Sequence, residues 1–155
     1  MFNGGRKIKV IEAIIWNIAL PGLAQILNGK IIKGLVLVGL GFLVNIQSNL
    51  NQAILYSFNG EIQLAIDITN YQLLLFYPCW YIFAMWDVYK DTGSGKESFS
   101  FLPFVFSAYS MTVGAIYSPT LKIGGILFGP IWLPTLFLPI GIIVGTVLRI
   151  LLKKL

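Results

Sequence analysis

Four long apolar runs, separated by short polar segments, dominate this 155-residue sequence and restrict what it can fold into. They cover residues 31–46, 73–88, 99–116 and 126–152. Only 11% of the residues are charged, against about a quarter in an ordinary soluble domain, and 57% are hydrophobic. So small a globule could not cover this much apolar surface with polar side chains. The sequence therefore predicts one compact all-α integral membrane domain with about four transmembrane helices.

An earlier segment, residues 10–27, is a marginal candidate for a fifth span. A spanning helix needs about 20 mainly apolar residues. This run contains three polar side chains: Glu12, Asn17 and Gln25. Pro21-Gly22 also interrupts it, and proline frees a carbonyl one turn earlier, so the helix is expected to bend or end there. We predict a Pro/Gly-broken segment that re-enters the membrane or lies at its interface.

The basic residues discriminate between a full crossing and a return of residues 10–27. A full crossing divides the eleven Lys and Arg four against seven, whereas a return places ten on one side. Cytoplasmic loops of membrane proteins carry the excess of Lys and Arg. The sequence therefore favours the return, in a multi-pass protein of the plasma membrane with both termini cytoplasmic. Lys122 is then predicted on the non-cytoplasmic side. The basic residues predicted on the cytoplasmic side are Arg6, Lys7, Lys9, Lys30, Lys33, Lys90, Lys96, Arg149, Lys153 and Lys154.

The stretch that follows the proline has the signals of a tight helix–turn–helix. Asn28-Gly29 tolerates positive φ and allows a reversal. The next helix has three positions without a side chain, where another backbone can approach closely: Gly34, Gly39 and Gly41. The simpler interpretation is a packing device. The alternative is a site where the broken helix end binds an ion or a lipid headgroup.

The same residues carry a family resemblance. Pro21-Gly22-Leu23-Ala24-Gln25, then Asn28-Gly29, then Lys33-Gly34, resembles the PGLGQ-x-YNG-x-x-x-KG signature of small bacterial membrane proteins similar to the two-transmembrane (TM-two) domain family. Trp86-Asp87 stands where the ending of that unit is expected. The resemblance covers about residues 10–92 and implies membrane topology rather than an activity. The sequence departs from the signature at Ala24 and Leu27, and it has no His-x-Phe-Tyr element.

The chain divides into a TM-two-like unit (1–92), a hydrophilic linker (93–98) and a C-terminal transmembrane hairpin (99–155). In the hairpin, Pro130 and Pro134 predict a bent lead-in with the span proper beginning near Pro134. Gly141 and Gly145 form a GxxxG pair that predicts a helix contact. The external segment 47–71 fits either a β-hairpin around Asn59-Gly60 or short interfacial helices, and we favour the helices.

Little in the sequence points to chemistry. There is no histidine, the single cysteine is Cys79, and the apolar runs hold no paired carboxylates. We expect a non-enzymatic protein without cofactor or metal that does not bind nucleic acid. Its expected partners are membrane lipids and either other membrane subunits or further copies of itself. It would act as a structural or accessory subunit.

The alternative is a small transporter or channel component with a polar site at the broken first helix. The candidate polar and packing residues are Glu12, Pro21, Gly22, Gln25, Asn28, Gly29, Gly34, Trp86 and Asp87.

Overall fold

The structure is a computed structural model that describes residues 9–154, and this part of the chain is mostly helical. Its elements in chain order are α1 (Val10–Ala19), α2 (Leu23–Leu27), α3 (Ile31–Ser48), α4 (Leu50–Phe58), α5 (Ile62–Ile68), α6 (Tyr71–Leu74), α7 (Phe76–Asp91), a 3₁₀ turn (Ser94–Lys96), α8 (Leu102–Tyr117), β1 (Lys122–Ile123), β2 (Ile126–Leu127) and α9 (Gly129–Leu152). β1 and β2 form a two-residue antiparallel pair between α8 and α9. The all-α prediction is confirmed.

The N-terminal helix breaks where the sequence predicts. Leu20 is extended and Gly22 has φ +103°, a left-handed conformation that suits glycine. Pro21 lies between them, so α1 ends and the five-residue α2 begins in a new direction. We call residues 10–27 the N-terminal hairpin.

Contacts with α7 show that this hairpin returns to the end from which it started. Ala13 packs against Val88, and further along α1 the carbonyl of Ile18 accepts a hydrogen bond from Tyr81 at 3.0 Å. The chain therefore runs antiparallel to α7 along α1. After the break, Lys30 is again level with Asp91, at the end of α7 where α1 began.

α3 then runs the whole length of α7. Leu37 packs with Trp80 and Ala84, and Gly41 lies against the Trp80 ring. At the far end the amide of Asn70 donates to the carbonyl of Ser48 at 3.2 Å. α7 is thus covered by the N-terminal hairpin over one half and by α3 along its length.

The segment between α3 and α7 is helical. α4 and α5 pack on each other and on α9, and Trp132 of α9 donates from its indole nitrogen to the carbonyl of Ser57 at 3.1 Å. The preference for short helices over a β-hairpin is confirmed. The next helix is interrupted at Leu75 because the ring of Pro78 conflicts with the carbonyl four residues earlier.

α8 and α9 form the most extensive helix pair of the described chain. The prediction that the last span begins near Pro134 is wrong: α9 is continuous from Gly129 to Leu152 with Pro130 in its first turn. A proline in the first turn costs no hydrogen bond, because those amides have no partner within the helix. Pro134 and Pro139 are accommodated inside the same helix.

Within residues 9–154, two helices are long and apolar enough to cross a membrane by length and composition, α3 and α9. Only 22% of α3 and 11% of α9, over the most apolar stretch of each, is buried inside the protein. The rest of their apolar surface points outward, with Ile32 81% and Phe42 66% exposed.

Candidate functional site

The break in the N-terminal hairpin is held by Asn17, a fully buried side chain in α1. Its carbonyl oxygen accepts hydrogen bonds from the amides of Gly22 and Ala24, both at 3.2 Å. Its amide nitrogen donates to the carbonyl of Ala84 in α7 at 2.8 Å. One side chain therefore satisfies the backbone exposed by the break and ties the hairpin to α7.

Gln25 makes a second tie from α2 to the same place. It is fully buried, and its amide nitrogen donates to the carbonyl of Ala84 at 3.0 Å and to a carboxylate oxygen of Asp87 at 3.2 Å. Both partners are acceptors, which fixes the orientation of the amide. Its oxygen has no hydrogen-bond partner among the described residues.

The carboxylate of Asp87 also pairs with the ammonium of Lys33, in the first turn of α3. The Asp87 side chain is 10% exposed, whereas that of Lys33 is 42% exposed. One turn further along α7, Asp91 pairs with Lys30 at 2.5 Å. Asp87 therefore reaches across to another helix, rather than to Lys90 three positions on along its own helix. We call Asn17, Gln25, Lys33 and Asp87 the polar cluster.

Two glycines let the helices around this cluster approach closely. A Cβ on Gly22 would lie 2.6 Å from the carbonyl oxygen of Gly34, and a Cβ on Gly34 would lie 2.6 Å from that of Gly22. The two backbones thus touch where α2 and α3 meet. By contrast, Gly39 faces open space although it lies in the same helix.

The predicted candidate residues divide into two groups. Gly22, Gln25, Gly34 and Asp87 come together in and around the polar cluster, and Pro21 is buried beside them. The others lie elsewhere: Glu12 on an exposed part of α1, Asn28 and Gly29 in the α2–α3 turn, and Trp86 against Phe101 and Phe104.

Two members of the cluster were absent from the predicted set. Asn17 carries a usable signal, because it is a polar residue in an apolar run one turn before a helix-breaking proline. Lys33 was predicted as a cytoplasmic charge and as part of the family signature, but no local spacing relates it to a carboxylate 54 positions later. The contacts of the GxxxG pair are also visible: Gly141 lies against the backbone of Phe106 and Ser107, and Gly145 against that of Leu102 and Pro103.

Charges gather at the end of the molecule where the polar cluster lies. Glu97, in the linker, binds Arg149 at 2.5 Å and Lys153 at 2.9 Å, both near the end of α9. The hydrogen bond from Lys153, with the charges of Lys153 and Arg149, lowers the pKa of the Glu97 carboxyl. Because its pKa is lowered on folding, the stabilisation is present at neutral pH and is lost as pH falls through that lowered pKa.

The two ends of the molecule differ in sign. Eight of the nine described Lys and Arg lie at the end that carries Asp91 and Glu97, which we call the cationic end. The opposite end carries Lys122 together with Glu61 and Asp67. Arg6 and Lys7, predicted to share the cationic side, lie outside the described residues.

The arrangement positions backbone rather than reactive groups. Two hydrogen bonds of the polar cluster lie within the N-terminal hairpin, and the others join that hairpin and α3 to Ala84 and Asp87 of α7, so the cluster joins three elements of the fold. Among residues 9–154, no group of three or more His, Cys, Asp or Glu side chains is placed to hold a metal ion. No protein-family model, no curated protein and no solved structure matches this chain.

Proposed function

We propose that the protein is a non-enzymatic multi-pass membrane protein that serves as a structural or accessory subunit of a membrane complex or homo-oligomer. Its four spans would be α3, α6 with α7, α8 and α9, and the N-terminal hairpin would re-enter the membrane from the cationic end. Residues 10–92 would form the TM-two-like unit suggested by the sequence resemblance. The cationic end would face the cytoplasm, as the excess of Lys and Arg favours.

The observation that carries this proposal is the combination of outward apolar surface with charges confined to the ends. The exposed faces of α3 and α9 bear large aliphatic and aromatic side chains along their length. Water does not favour so large a continuous apolar surface, whereas hydrocarbon does. The eight basic residues at one end and the acidic pair at the other then lie at the two headgroup regions.

The depth of the N-terminal hairpin supports re-entry rather than a fifth span. α1 has ten residues, which gives about 15 Å at 1.5 Å per residue, or about half of a 30 Å hydrocarbon core. A broken backbone within lipid must find its hydrogen bonds inside the protein. Asn17 supplies them at the break, and α7 supplies the acceptor at Ala84.

Single-cysteine labelling tests the topology. In a Cys79→Ser background, Lys30→Cys, Lys154→Cys and Lys122→Cys would each be treated with a membrane-impermeant maleimide in sealed vesicles. We expect the first two to react from one side and Lys122→Cys from the other. Lys154→Cys is the matched control for Lys30→Cys, because both positions lie at the cationic end. Reaction of Lys30→Cys from the same side as Lys122→Cys would overturn the re-entrant arrangement.

The role as a subunit is supported by how the polar groups are used. The buried amides and the carboxylate of the polar cluster bind backbone and one another, which fixes a shape and leaves the outer helical faces as the surface for other molecules. This is the arrangement expected of a scaffold, since helix association in lipid depends on packing.

Purification from its own membrane tests that role. The full chain, solubilised in a mild detergent, is expected to migrate on a native gel well above the size of one 17.2 kDa chain, either with another membrane protein or as a homo-oligomer. A denatured sample gives the single-chain reference, and mass spectrometry of the excised band identifies what accompanies it. Recovery as a bare monomer with no co-purifying protein would refute the subunit role while leaving the membrane topology intact.

A further inference from the structure

We propose that the groove between α7 and α8 binds an anionic phospholipid, with one acyl chain in the groove and the phosphate at Lys90 and Lys96. This inference rests on the membrane location proposed above and names a specific lipid chemistry for one face of the protein.

The groove is an open, apolar depression of about 690 Å³ on the outer surface of the protein. Its lining residues carry no charge, and they come from one face of each helix. They include Cys79, Phe83 and Trp86 on α7, and Val105, Ala108 and Tyr109 on α8. A lining without charged groups suits a hydrocarbon chain.

Lys90 continues the α7 side of the groove to the cationic end. Positions 79, 83, 86 and 90 follow helical spacing, so Lys90 lies on the same stripe one turn beyond Trp86. The 3₁₀ turn packs on this helix end, since a Cβ on Gly95 would lie 2.7 Å from the Cα of Lys90. Lys96 directly follows Gly95, so we place its ammonium near that of Lys90 at the cationic end of the groove.

These two lysines differ from their neighbours because their charges are uncompensated. Lys30, Lys33, Arg149 and Lys153 each pair with a carboxylate. Lys90 and Lys96 are exposed and form no side-chain hydrogen bond or ion pair with any other described residue. Two free ammonium groups above an apolar groove complement a phosphate above an acyl chain. A zwitterionic headgroup carries its own positive charge, which reduces this attraction, whereas an anionic headgroup does not.

A docked helix from another protein fits the groove less well. The helix contacts within this chain are close because glycine faces backbone, as at Gly114, Gly141 and Gly145. The groove is lined instead by bulky side chains, and toward the cationic end its wall is the aromatic cluster of Trp86, Phe101 and Phe104. Tryptophan at this depth is typical of the headgroup level.

Native mass spectrometry of the purified full chain tests the proposal. Phosphatidylglycerol and phosphatidylcholine with identical acyl chains compete for the detergent-solubilised protein. We expect phosphatidylglycerol to be retained preferentially, by about fivefold per lysine. The double variant Lys90→Gln/Lys96→Gln should lose this preference. Lys154→Gln, which removes another exposed lysine at the same end, should keep it.

A second measurement locates the lipid in the groove. Cys79 is exposed and is the single cysteine of the chain, so its rate of alkylation reports occupancy without any substitution. Phosphatidylglycerol should slow this alkylation in the wild type by severalfold and should have no such effect in Lys90→Gln/Lys96→Gln. Ala108→Trp, which fills the groove, should retain neither lipid.

Equal retention of the two lipids by the wild type would overturn the proposal, as would an unchanged preference in the double variant. Alkylation of Cys79 that is indifferent to phosphatidylglycerol would also overturn it, even if Ala108→Trp fails to fold. None of these results bears on membrane location, which the vesicle labelling of Lys30→Cys and Lys122→Cys tests separately.

Discussion

Gly141→Leu is expected to lower the free energy of unfolding by about 3 kcal/mol, which places it among the most damaging single substitutions in this chain. A Cβ at position 141 would lie 2.5 Å from the Cα of Ser107 and closer still to the carbonyl of Phe106. Both neighbours are backbone, so no side chain can rotate away. The α8–α9 pair, the most extensive helix contact described, would have to separate.

Gly39→Leu is the matched control. Gly39 also lies inside a long apolar helix, but a Cβ there meets nothing within 4 Å. We expect this substitution to leave stability unchanged or to raise it slightly, because leucine has the higher helix propensity. Both variants would be compared with wild type by denaturant titration in mild detergent. Equal stability of Gly141→Leu and Gly39→Leu would contradict the close α8–α9 contact.

Asn17→Leu is expected to cost a similar amount, about 3 kcal/mol, although the two side chains have nearly the same size. The leucine would leave the buried amides of Gly22 and Ala24 without the acceptor that they share. It would also remove the donor to the carbonyl of Ala84. Each buried group left unsatisfied costs its full desolvation penalty, and the leucine side chain offers no replacement hydrogen bond.

Asn51→Leu serves as its control. Asn51 is exposed and accepts a hydrogen bond from Asn45 at 3.0 Å, so water replaces the lost contact and the expected change is below about 0.5 kcal/mol. The titration should be accompanied by limited proteolysis, because loss of the Asn17 contacts should expose residues 19–23 to cleavage before the rest of the protein. A stable Asn17→Leu with an uncut hairpin would show that the break does not depend on this side chain.

Several features of the fold follow from local sequence. The helix ends at Pro21-Gly22 because proline lacks an amide hydrogen and Gly22 adopts φ +103°, and neither property depends on distant residues. The helical character of the long apolar runs is equally local. Pro78 likewise disrupts the carbonyl one turn earlier, which places the interruption at Leu75.

Predictions from local sequence were wrong or incomplete where the packing of another part of the chain determines the structure. Pro130 and Pro134 suggest a late helix start, yet α9 accommodates both and begins at Gly129. Gly39 and Gly41 lie two residues apart in the same apolar run, and the sequence does not distinguish them. In the structure Gly41 lies against the ring of Trp80, whereas a Cβ on Gly39 would contact nothing within 4 Å. Asp87 pairs with Lys33 because α3 packs beside α7, and the spacing of residues within α7 does not predict that packing.

What the sequence determines by itself is therefore the list of elements, because helix breaks, apolar runs and charge content act within a few residues of where they occur. What only the tertiary structure decides is which of the polar and small residues meet. Asn17, Gln25 and Asp87 lie up to 70 positions apart and share one buried site because α1, α2 and α7 pack there. A buried polar group needs a partner, and packing of the helices supplies it.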